Sequence, residues 1–478
     1  MLFNSFEFFL FVPVVFTLYW FFFNKSLTLQ NLLLLVASCF FYGWFSWKFL
    51  ILLIACIFLD FLYGFGVNSI NKRKSKTYLI LSVLNNLSIL FVFKYYDFFA
   101  VEFQRTFELV GIHLNISLLN IALPVGVSFY TFHGMSYVFD IYRGIRKPVS
   151  NFIEYAVFVA FFPLLVAGPI ERANHLLPQV QSKRIFKYQQ AVEGCRLILW
   201  GMFKKVVIAD SLALIVDDIF DHYPHHSSFT LILAAIGFSF QIYCDFSGYS
   251  DIAIGTGKLF GFELLSNFRF PYFSRDIAEF WRRWHISLSS WFKDYLYIPL
   301  GGSKNGKLIA IRNTIIIFLV SGFWHGASWN YLVWGGIHAM AFLPLLISNK
   351  NRKHVNEIVA NDGKLPTWTE LLQILSTFAF VTFAWIFFRM HSLTSALDYI
   401  KSIFTNFNNL KEVLIYRWIV FYVLIVLIAD WYFRKDERIL KIPKLPRLIR
   451  IVVYAAITIL IFSLLAKMPK QSFIYFQF

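Results

Sequence analysis

The amino-acid sequence predicts an all-α protein that crosses a membrane many times. Of its 478 residues, 58% are hydrophobic and only 15% are charged, and the mean hydropathy is +0.61. Soluble domains are about half apolar and about a quarter charged, so a single soluble core could not bury this much apolar surface. A spanning helix needs roughly 20 apolar residues, and runs of that length recur along the chain. We therefore expect a polytopic protein with roughly 11–13 transmembrane or re-entrant helices.

The apolar runs behind this prediction extend over the whole chain. They lie at about 3–23, 29–47, 48–67, 78–99, 116–139, 153–170, 191–208, 228–246, 309–323, 328–347, 369–390, 413–433 and 451–467. The run 153–170 ends in Ala167-Gly168-Pro169, which breaks a helix at membrane depth and indicates a re-entrant segment. Segment 247–308 is too polar to span, so we expect short amphipathic pieces at the cytoplasmic interface. Without an internal repeat or a polar linker in the sequence, residues 1–478 are predicted to form one membrane domain.

The basic residues indicate how the chain lies in the bilayer. The net charge is +17, and the Lys and Arg residues fall in clusters between the apolar runs. This pattern is typical of cytoplasmic loops and not of a nucleic-acid groove, so no nucleic-acid partner is expected. Clusters within 72–76, 143–147, 350–353 and 434–450 place the N-terminus outside and the tail 468–478 on the extracytoplasmic side. The four cysteines lie in apolar stretches without paired spacing, so we expect neither disulfides nor a metal site.

His325 is the strongest candidate for chemistry. It lies in Ser321-Gly322-Phe323-Trp324-His325-Gly326-Ala327, between two apolar runs. An ionisable side chain at membrane depth is costly, which makes it a functional candidate, and a desolvated imidazole can act as a general base. Its small neighbours leave space for a backbone or a thin substrate. The alternative is a histidine that only links two helices by hydrogen bonds.

A second histidine, His285, lies in an aromatic segment. Positions 281, 284, 285, 288, 292 and 295 share one face at helical spacing, which predicts an amphipathic helix. One interpretation is an interfacial anchor. The other has His285 pointing into a cavity, with an anionic donor bound at its cytoplasmic mouth. The donor-binding candidates are Trp281, Trp284, Arg282, Arg283, Lys293, Lys304 and Lys307.

Two carboxylates and two tyrosines lie near the predicted end of a helix. They are Tyr243, Asp245, Tyr249 and Asp251. A carboxylate at such a place is predicted to cap the helix by accepting backbone N–H groups, which we favour over an acid–base role. His133 has apolar neighbours, and we interpret it as a packing residue.

These motifs together resemble the membrane-bound O-acyltransferase family, in particular its bacterial branch that O-acetylates polysaccharides such as alginate. The matching pieces are 124–132, 168–170, 245–249, 280–288 and 321–327. Trp-His-Ile-Ser-Leu at 284–288 followed by Phe-Trp-His-Gly-Ala at 323–327 is the most specific part. The length and the terminal apolar runs also fit, so the resemblance covers most of the chain.

The resemblance implies a bacterial inner-membrane acyltransferase whose helices surround a central tunnel. It marks His325 as the catalytic histidine, with His285 as a second polar residue beside the tunnel. The residues expected to line the tunnel are Trp324, Ser321, Asp245 and Tyr249. Acetyl-CoA on the cytoplasmic side is the expected donor, without a bound cofactor or metal, and His325 would deprotonate an incoming hydroxyl.

The tail 468–478 resembles the aromatic C-terminal motif of a small partner protein in the related D-alanylation system. This implies that Tyr475 receives the acetyl group and hands it to an extracytoplasmic, serine-esterase-like (SGNH) acetyltransferase. The alternative for Tyr475 is an aromatic anchor at the lipid interface. For the whole chain, the alternatives are D-alanyl transfer from a carrier-protein thioester and, in a different class, a transporter or flippase. The missing inverted repeat and the two histidine motifs favour the enzyme.

Overall fold

The structure, a computed structural model, confirms the all-α polytopic class. It describes residues 1–476 except for 167, 356, 362, 364, 408–409, 436–445, 470 and 472. Predictions that fall on Ala167, on part of the basic cluster 434–450 and on part of the tail 468–478 therefore lie outside the described residues. Within the described ranges every regular element is helical, and no strand occurs.

Seven helices in the described part of the chain are long and apolar enough to cross a membrane. They are Trp47–Val67, Lys72–Glu108, Ser228–Leu259, Lys307–His325, Trp329–Ile347, Trp368–Arg389 and Arg447–Lys467. Two shorter apolar helices, Phe6–Phe22 and Leu27–Gly43, come before them. Several of the other predicted runs form shorter or broken helices.

The helices belong to two compact units. The first contains Met1–Cys195 and Ala253–Leu265, and the second contains Arg196–Ile252 and Ser266–Phe478. Both candidate histidines and the tail lie in the second unit.

Helices of the first unit begin where a side chain can replace the missing backbone acceptor. The hydroxyls of Ser5, Ser26 and Ser46 each accept the N–H three residues later, which caps three successive helices. The helices of this unit are Phe6–Thr17, Leu27–Gly43, Trp47–Val67, Lys72–Leu90, Tyr96–Glu108, Val127–Tyr142, Phe152–Ala160, Phe162–Leu165, Ala173–Gln181, the first part of Tyr188–Met202 and the end of Ser228–Leu259 from Ala253, with π-helical turns at Leu18–Phe22 and Phe91–Tyr95. In this unit the Nε2 of His133 accepts the N–H of Glu171 at 3.1 Å.

The run 153–170 breaks earlier than its Gly-Pro sequence predicts. Helix Phe152–Ala160 ends at Phe161, whose ψ of 111° is extended, and Phe162–Leu165 follows as a single turn. Pro163 stands in that first turn, where its missing N–H is not needed. Neither piece is long enough to cross a bilayer by itself.

The second unit contains most of the long helices. They and the shorter elements are Phe203–Ala209, Asp210–Asp221, Tyr223–His225, Ser228–Leu259 up to Ile252, Pro271–Phe273, Ile277–Arg283, Ile286–Phe292, Lys293–Tyr297, Lys307–His325, Trp329–Ile347, Trp368–Arg389, Leu393–Thr405, Leu410–Leu414, Arg417–Phe433, Arg447–Lys467 and Ile474–Phe476. Thr367 and Glu370 form a capping box at the start of Trp368–Arg389, so its N-terminal N–H groups are satisfied.

The predicted helix end near Asp245 is wrong, because helix Ser228–Leu259 continues without interruption. Two lysines in the π-helical turn Phe203–Ala209 neutralise its carboxylates. Lys205 lies 2.7 Å from Asp245, and Lys204 lies 2.7 Å from Asp251. Neither carboxylate caps this helix, and segment 247–308 begins inside it rather than with a separate amphipathic piece.

Two glycines allow the helices on either side of Gly326 to pack with their backbones in contact. A Cβ on Gly322 would lie 2.2 Å from the carbonyl oxygen of Tyr331, and one on Gly335 would lie 2.3 Å from that of Phe318. No other residue type tolerates this approach. The space that the sequence predicts beside Gly322 is therefore filled by the backbone of the next helix, not left for a substrate.

Replacing Gly335 by alanine should lower the melting temperature of the detergent-solubilised protein. The added Cβ forces the two backbones apart, and overpacking of this kind costs about 1–3 kcal/mol. The neighbouring Gly336 is the matched control, since a Cβ there meets no heavy atom within 4 Å. Gly336→Ala should be neutral or stabilising by about 0.5–1 kcal/mol, because alanine favours a helix. Equal melting temperatures for the two variants would contradict the close packing.

Candidate active site

His325 is the last residue of helix Lys307–His325 and is only 3% exposed. Its ring centroid lies 4.9 Å from that of Trp324, 5.2 Å from that of Trp334 and 5.2 Å from that of Phe388. Ser321, one helical turn earlier, is also buried. The imidazole therefore faces an aromatic interior and not lipid, and such walls keep water from a reacting group.

The single helix predicted over 280–295 is wrong, because the chain breaks at His285. Helices Ile277–Arg283 and Ile286–Phe292 flank this break, and Trp284 is buried within it. His285 has φ 43° and ψ 54°, a left-handed conformation that costs a non-glycine residue about 1–3 kcal/mol. The common face inferred from helical spacing does not exist, and the surroundings of His285 must hold its backbone in place.

Asn267, which the sequence analysis does not single out, holds this turn. Its Oδ1 accepts hydrogen bonds from Nδ1 of His285 at 3.0 Å and from Oγ of Ser287 at 2.9 Å. Its backbone carbonyl accepts the N–H of Ile286 at 2.9 Å, and its Nδ2 donates to Ser250 at 3.0 Å. Because a carbonyl oxygen can only accept, the proton of the neutral His285 ring lies on Nδ1 and the lone pair lies on Nε2. No sequence signal links a lone asparagine to a histidine 18 residues later.

The environment of His285 keeps this ring neutral. Burial lowers its pKa to about 3, since no charged partner compensates for the loss of water around the imidazolium. Its Nε2 is buried and has no hydrogen-bond partner among the described residues. A neutral ring in this tautomer offers Nε2 as a hydrogen-bond acceptor or base.

The described part of the tail folds back onto both histidines. Within the short 3₁₀ helix Ile474–Phe476, the ring centroid of Tyr475 lies 5.5 Å from that of His325 and 6.4 Å from that of His285. The Tyr475 hydroxyl is buried, and this burial raises its pKa well above the ordinary value. The structure thus brings together three side chains that are far apart in sequence.

Two residues predicted to line a tunnel, Asp245 and Tyr249, contact the tail. Asp245 Oδ2 accepts the N–H of Ile474 at 2.7 Å, and the ring of Tyr249 lies 4.4 Å from that of Phe473. The central tunnel stays a prediction.

The residues predicted to meet the donor have different surroundings. Nη2 of Arg283 lies 2.7 Å from Glu279, whose carboxylate also pairs with Arg275. Arg282 donates from Nη1 to the Asn351 carbonyl, while its Nε and Nη2 are buried without a partner in the described ranges. The exposed members of the set are Lys293, Lys304 and Lys307. No group of three or more His, Cys, Asp or Glu residues in the described chain is arranged to hold a metal ion.

His338 is a further buried histidine that the sequence analysis does not single out. Its ring lies 5.0 Å from that of Trp281 and 4.9 Å from that of Trp334, which in turn packs on His325. Neither ring nitrogen of His338 has a hydrogen-bond partner in the described structure, and the indole N–H groups of Trp281 and Trp334 have none either. A row of buried polar atoms therefore leads from Trp281 to His325. The membrane-depth argument that selects His325 applies equally to His338.

Comparison with known proteins shows which protein family this chain resembles. The sequence profile of the membrane-bound O-acyltransferase family (MBOAT) matches residues 142–356, which include His285, His325 and His338. A probable alginate O-acetylase AlgI of Pseudomonas aeruginosa is 37% identical over 399 residues, which cover 83% of this chain and 73% of that protein.

Two further relatives differ in the group or polymer that their names give. A peptidoglycan O-acetyltransferase of Helicobacter pylori is 36% identical over 424 residues, covering 82% of this chain and 77% of its own. A teichoic acid D-alanyltransferase of Bacillus subtilis is 28% identical over 279 residues, covering 56% and 69%. Since two relatives above 35% identity align with most of both chains, the protein belongs to the membrane-bound O-acyltransferase family and is an acyltransferase.

Proposed function

We propose that the protein moves an acetyl group from cytoplasmic acetyl-CoA across the bacterial inner membrane for O-acetylation of an extracytoplasmic polysaccharide. His325 is the general base, and the hydroxyl of Tyr475 is the first acceptor. The observation that carries this proposal is the contact of the Tyr475 ring with both histidines, at 5.5 Å and 6.4 Å between ring centroids. The acetyl group is favoured because the relatives at 36–37% identity are named for acetylation.

The first transfer needs only a base and a hydroxyl. His325 takes the proton of the Tyr475 hydroxyl, and the phenolate oxygen attacks the carbonyl carbon of the thioester. The carbon–sulfur bond breaks, and the thiolate of CoA leaves with the proton from the imidazolium. Because the hydroxyl is buried and its pKa is raised, it requires a nearby base to react near pH 7.

His285 supports this step by orienting the hydroxyl or the thioester. Asn267 fixes the ring with the proton on Nδ1, so Nε2 accepts a hydrogen bond from the reacting group. In this mechanism His325 transfers the proton, and His285 orients the reacting group.

The donor side is supported by the buried polar atoms around Trp281. The pantetheine arm of CoA carries amide groups, which would pair with the free N–H groups of Trp281 and Arg282 and with His338. The charged nucleotide would stay outside, near the exposed lysines 293, 304 and 307. Arg283 contributes less, because Glu279 already holds its guanidinium.

The second transfer takes the acetyl group from Tyr475 to the polymer. A hydroxyl of an extracytoplasmic serine-esterase-like acetyltransferase attacks the tyrosyl ester, and the phenol leaves with the proton of that hydroxyl. That enzyme then acetylates the polysaccharide. D-alanyl transfer is the second candidate, because one relative is named for it at 28% identity.

Replacing Asn267 by aspartate should add a second acid limb to the pH profile of acetyl transfer, besides the one caused by protonation of His325. A carboxylate 3.0 Å from Nδ1 stabilises the imidazolium and raises the pKa of His285 from about 3. As the pH falls through the raised pKa, Nε2 becomes protonated and can no longer accept a hydrogen bond, so the rate falls. The pH profile of acetyl-CoA turnover measures this, because wild type shows only the acid limb that protonation of His325 produces, whereas the variant should show an additional one from His285. Superimposable profiles would show that Asn267 does not act through His285.

The proposed function is tested by incubating the purified full-length protein with radiolabelled acetyl-CoA. We expect release of CoA and one acetyl group on the chain, which mass spectrometry of the C-terminal peptide locates on Tyr475. Turnover of acetyl-CoA without label on the tail would remove Tyr475 from the reaction. No turnover of acetyl-CoA together with turnover of a D-alanyl carrier-protein thioester would replace acetyl by D-alanyl transfer.

A further inference from the structure

We propose that Asp245 is the positioning residue that anchors the C-terminal tail and so aligns Tyr475 with His325. This inference rests on the proposed relay through Tyr475 and names the site that makes it possible. The anchor is a hydrogen bond from the N–H of Ile474 to Oδ2 of Asp245, at 2.7 Å across 229 residues of sequence. It is independent of any side chain of the tail, because a backbone group is what the carboxylate binds.

The carboxylate of Asp245 is held by groups that do not belong to the tail. Its Oδ1 lies 2.7 Å from Nζ of Lys205, and the same ammonium group lies 2.8 Å from Asp210. Exposure is 1% for the Lys205 side chain and 5% for that of Asp245. A buried carboxylate that is already ion-paired still has a second oxygen to satisfy, and the Ile474 N–H satisfies it. Hydrogen bonds to a charged acceptor are shorter and about twice as strong as neutral ones.

Two rings on the same helix hold the residues on either side of Ile474. Phe473 packs on Tyr249 at 4.4 Å, and Tyr475 packs on Phe246 at 4.4 Å. Helix Ser228–Leu259 therefore binds a ring, an amide N–H and a second ring in order. Sliding the tail by one residue, about 3.3–3.6 Å of extended chain, would break all three contacts and move the Tyr475 hydroxyl off the histidines. The site recognises an aromatic–X–aromatic peptide in one register.

This arrangement gives the buried carboxylate of Asp245 a role besides ion pairing. Replacing a buried ion pair by apolar residues is often neutral or stabilising, so the pair of Lys205 and Asp245 is weak evidence for a purely structural role. The second carboxylate oxygen of Asp245 accepts the N–H of Ile474, which gives this residue a role in holding the tail. Removing Lys205 or Asp210 would leave an uncompensated buried charge, so these residues make poor test positions.

The most specific test changes the tail and leaves the buried ion-paired residues Lys205, Asp210 and Asp245 unchanged. Ile474→Pro removes the donated N–H, and proline fits the first position of the 3₁₀ helix Ile474–Phe476. We expect it to lower the single-turnover rate constant for acetylation of Tyr475 tenfold or more, with an unchanged dependence of the rate on acetyl-CoA concentration. Ile474→Val keeps the N–H and is the matched control, with wild-type rates. A wild-type single-turnover rate constant in the proline variant would overturn the anchor.

Asp245→Asn completes a double-mutant cycle with Ile474→Pro. If both act through one hydrogen bond, the double variant should be no slower than the slower single variant. If the rate losses of the two single variants multiply in the double variant, the two residues do not act through one shared hydrogen bond.

Hydrogen exchange measures docking without any activity. In the wild type the Ile474 amide is buried and bonded, so the C-terminal peptide should exchange slowly, and Asp245→Asn should speed its exchange while peptides of Lys307–His325 keep their protection. Unchanged protection of the tail would overturn the anchor even if activity fell. Full activity of a Tyr475→Phe variant would instead overturn the relay, so the two failures are distinguishable.

Discussion

Replacing His325 by alanine is expected to lower acetyl-CoA turnover by about 10²–10⁴-fold, the usual contribution of a positioned general base. The ring is buried and packs on Trp324, Trp334 and Phe388, and the Tyr475 ring lies 5.5 Å away. Among the described residues, the other imidazole that contacts the Tyr475 ring is that of His285, whose pKa of about 3 makes it a poor proton acceptor near pH 7. The measurement is CoA release by purified protein.

Two controls separate chemistry from folding in this experiment. His325→Asn keeps a planar polar side chain in the aromatic pocket and should lose nearly as much activity as alanine. His225 is exposed, so His225→Ala should match the wild type. If His325→Ala released CoA at the wild-type rate while remaining folded, the general base would have to be another group.

The class of the fold could be predicted from the sequence because lipid imposes a simple requirement. Each spanning helix needs a long apolar run, and such a run is visible without knowledge of its neighbours. Polar residues in such runs are harder to interpret, because their partners come from other parts of the chain. Asp245 and Asp251 suggested a helix end, but Lys205 and Lys204 neutralise them from a different helical segment. A sequence does not reveal which charges meet in space.

Some residues of the candidate site could be predicted from the sequence, and others depend on contacts between distant parts of the chain. His325 could be selected because burial of an ionisable group in a membrane is costly wherever it occurs. The position of His285 depends on a left-handed backbone that Asn267 stabilises, and helical periodicity predicts the opposite, an unbroken helix. The contact between the tail and helix Ser228–Leu259 spans 229 residues and has no local signature. The resemblance of the tail to the C-terminal motif of a small partner protein marks Tyr475, but no pattern in the chain indicates that Asp245 binds its neighbour Ile474.

Replacing Tyr475 by phenylalanine should abolish acetylation of the polysaccharide while leaving the protein folded. The ring contacts of Tyr475 with Phe246 and His325 do not involve the hydroxyl, so the tail should still dock and its amides should remain protected from exchange. The phenolic oxygen that accepts the acetyl group is absent, and no label should appear on the chain. Polymer acetylation in cells, compared with a strain lacking the protein, measures the loss.

Tyr188→Phe is the matched control, because it removes the same hydroxyl group from a tyrosine that is 75% exposed. It should leave acetylation unchanged. If Tyr475→Phe also left acetylation unchanged at a normal protein level, Tyr475 would act only as an aromatic anchor, and His325 would have to activate the hydroxyl of an acceptor from outside the chain. In that case the docked tail would occupy the place where the acceptor must react, so it would have to leave before each turnover. If the tail only blocked the site, removal of the Tyr475 hydroxyl would not change the rate of the reaction. Loss of activity in Tyr475→Phe with the tail still docked therefore supports a covalent relay.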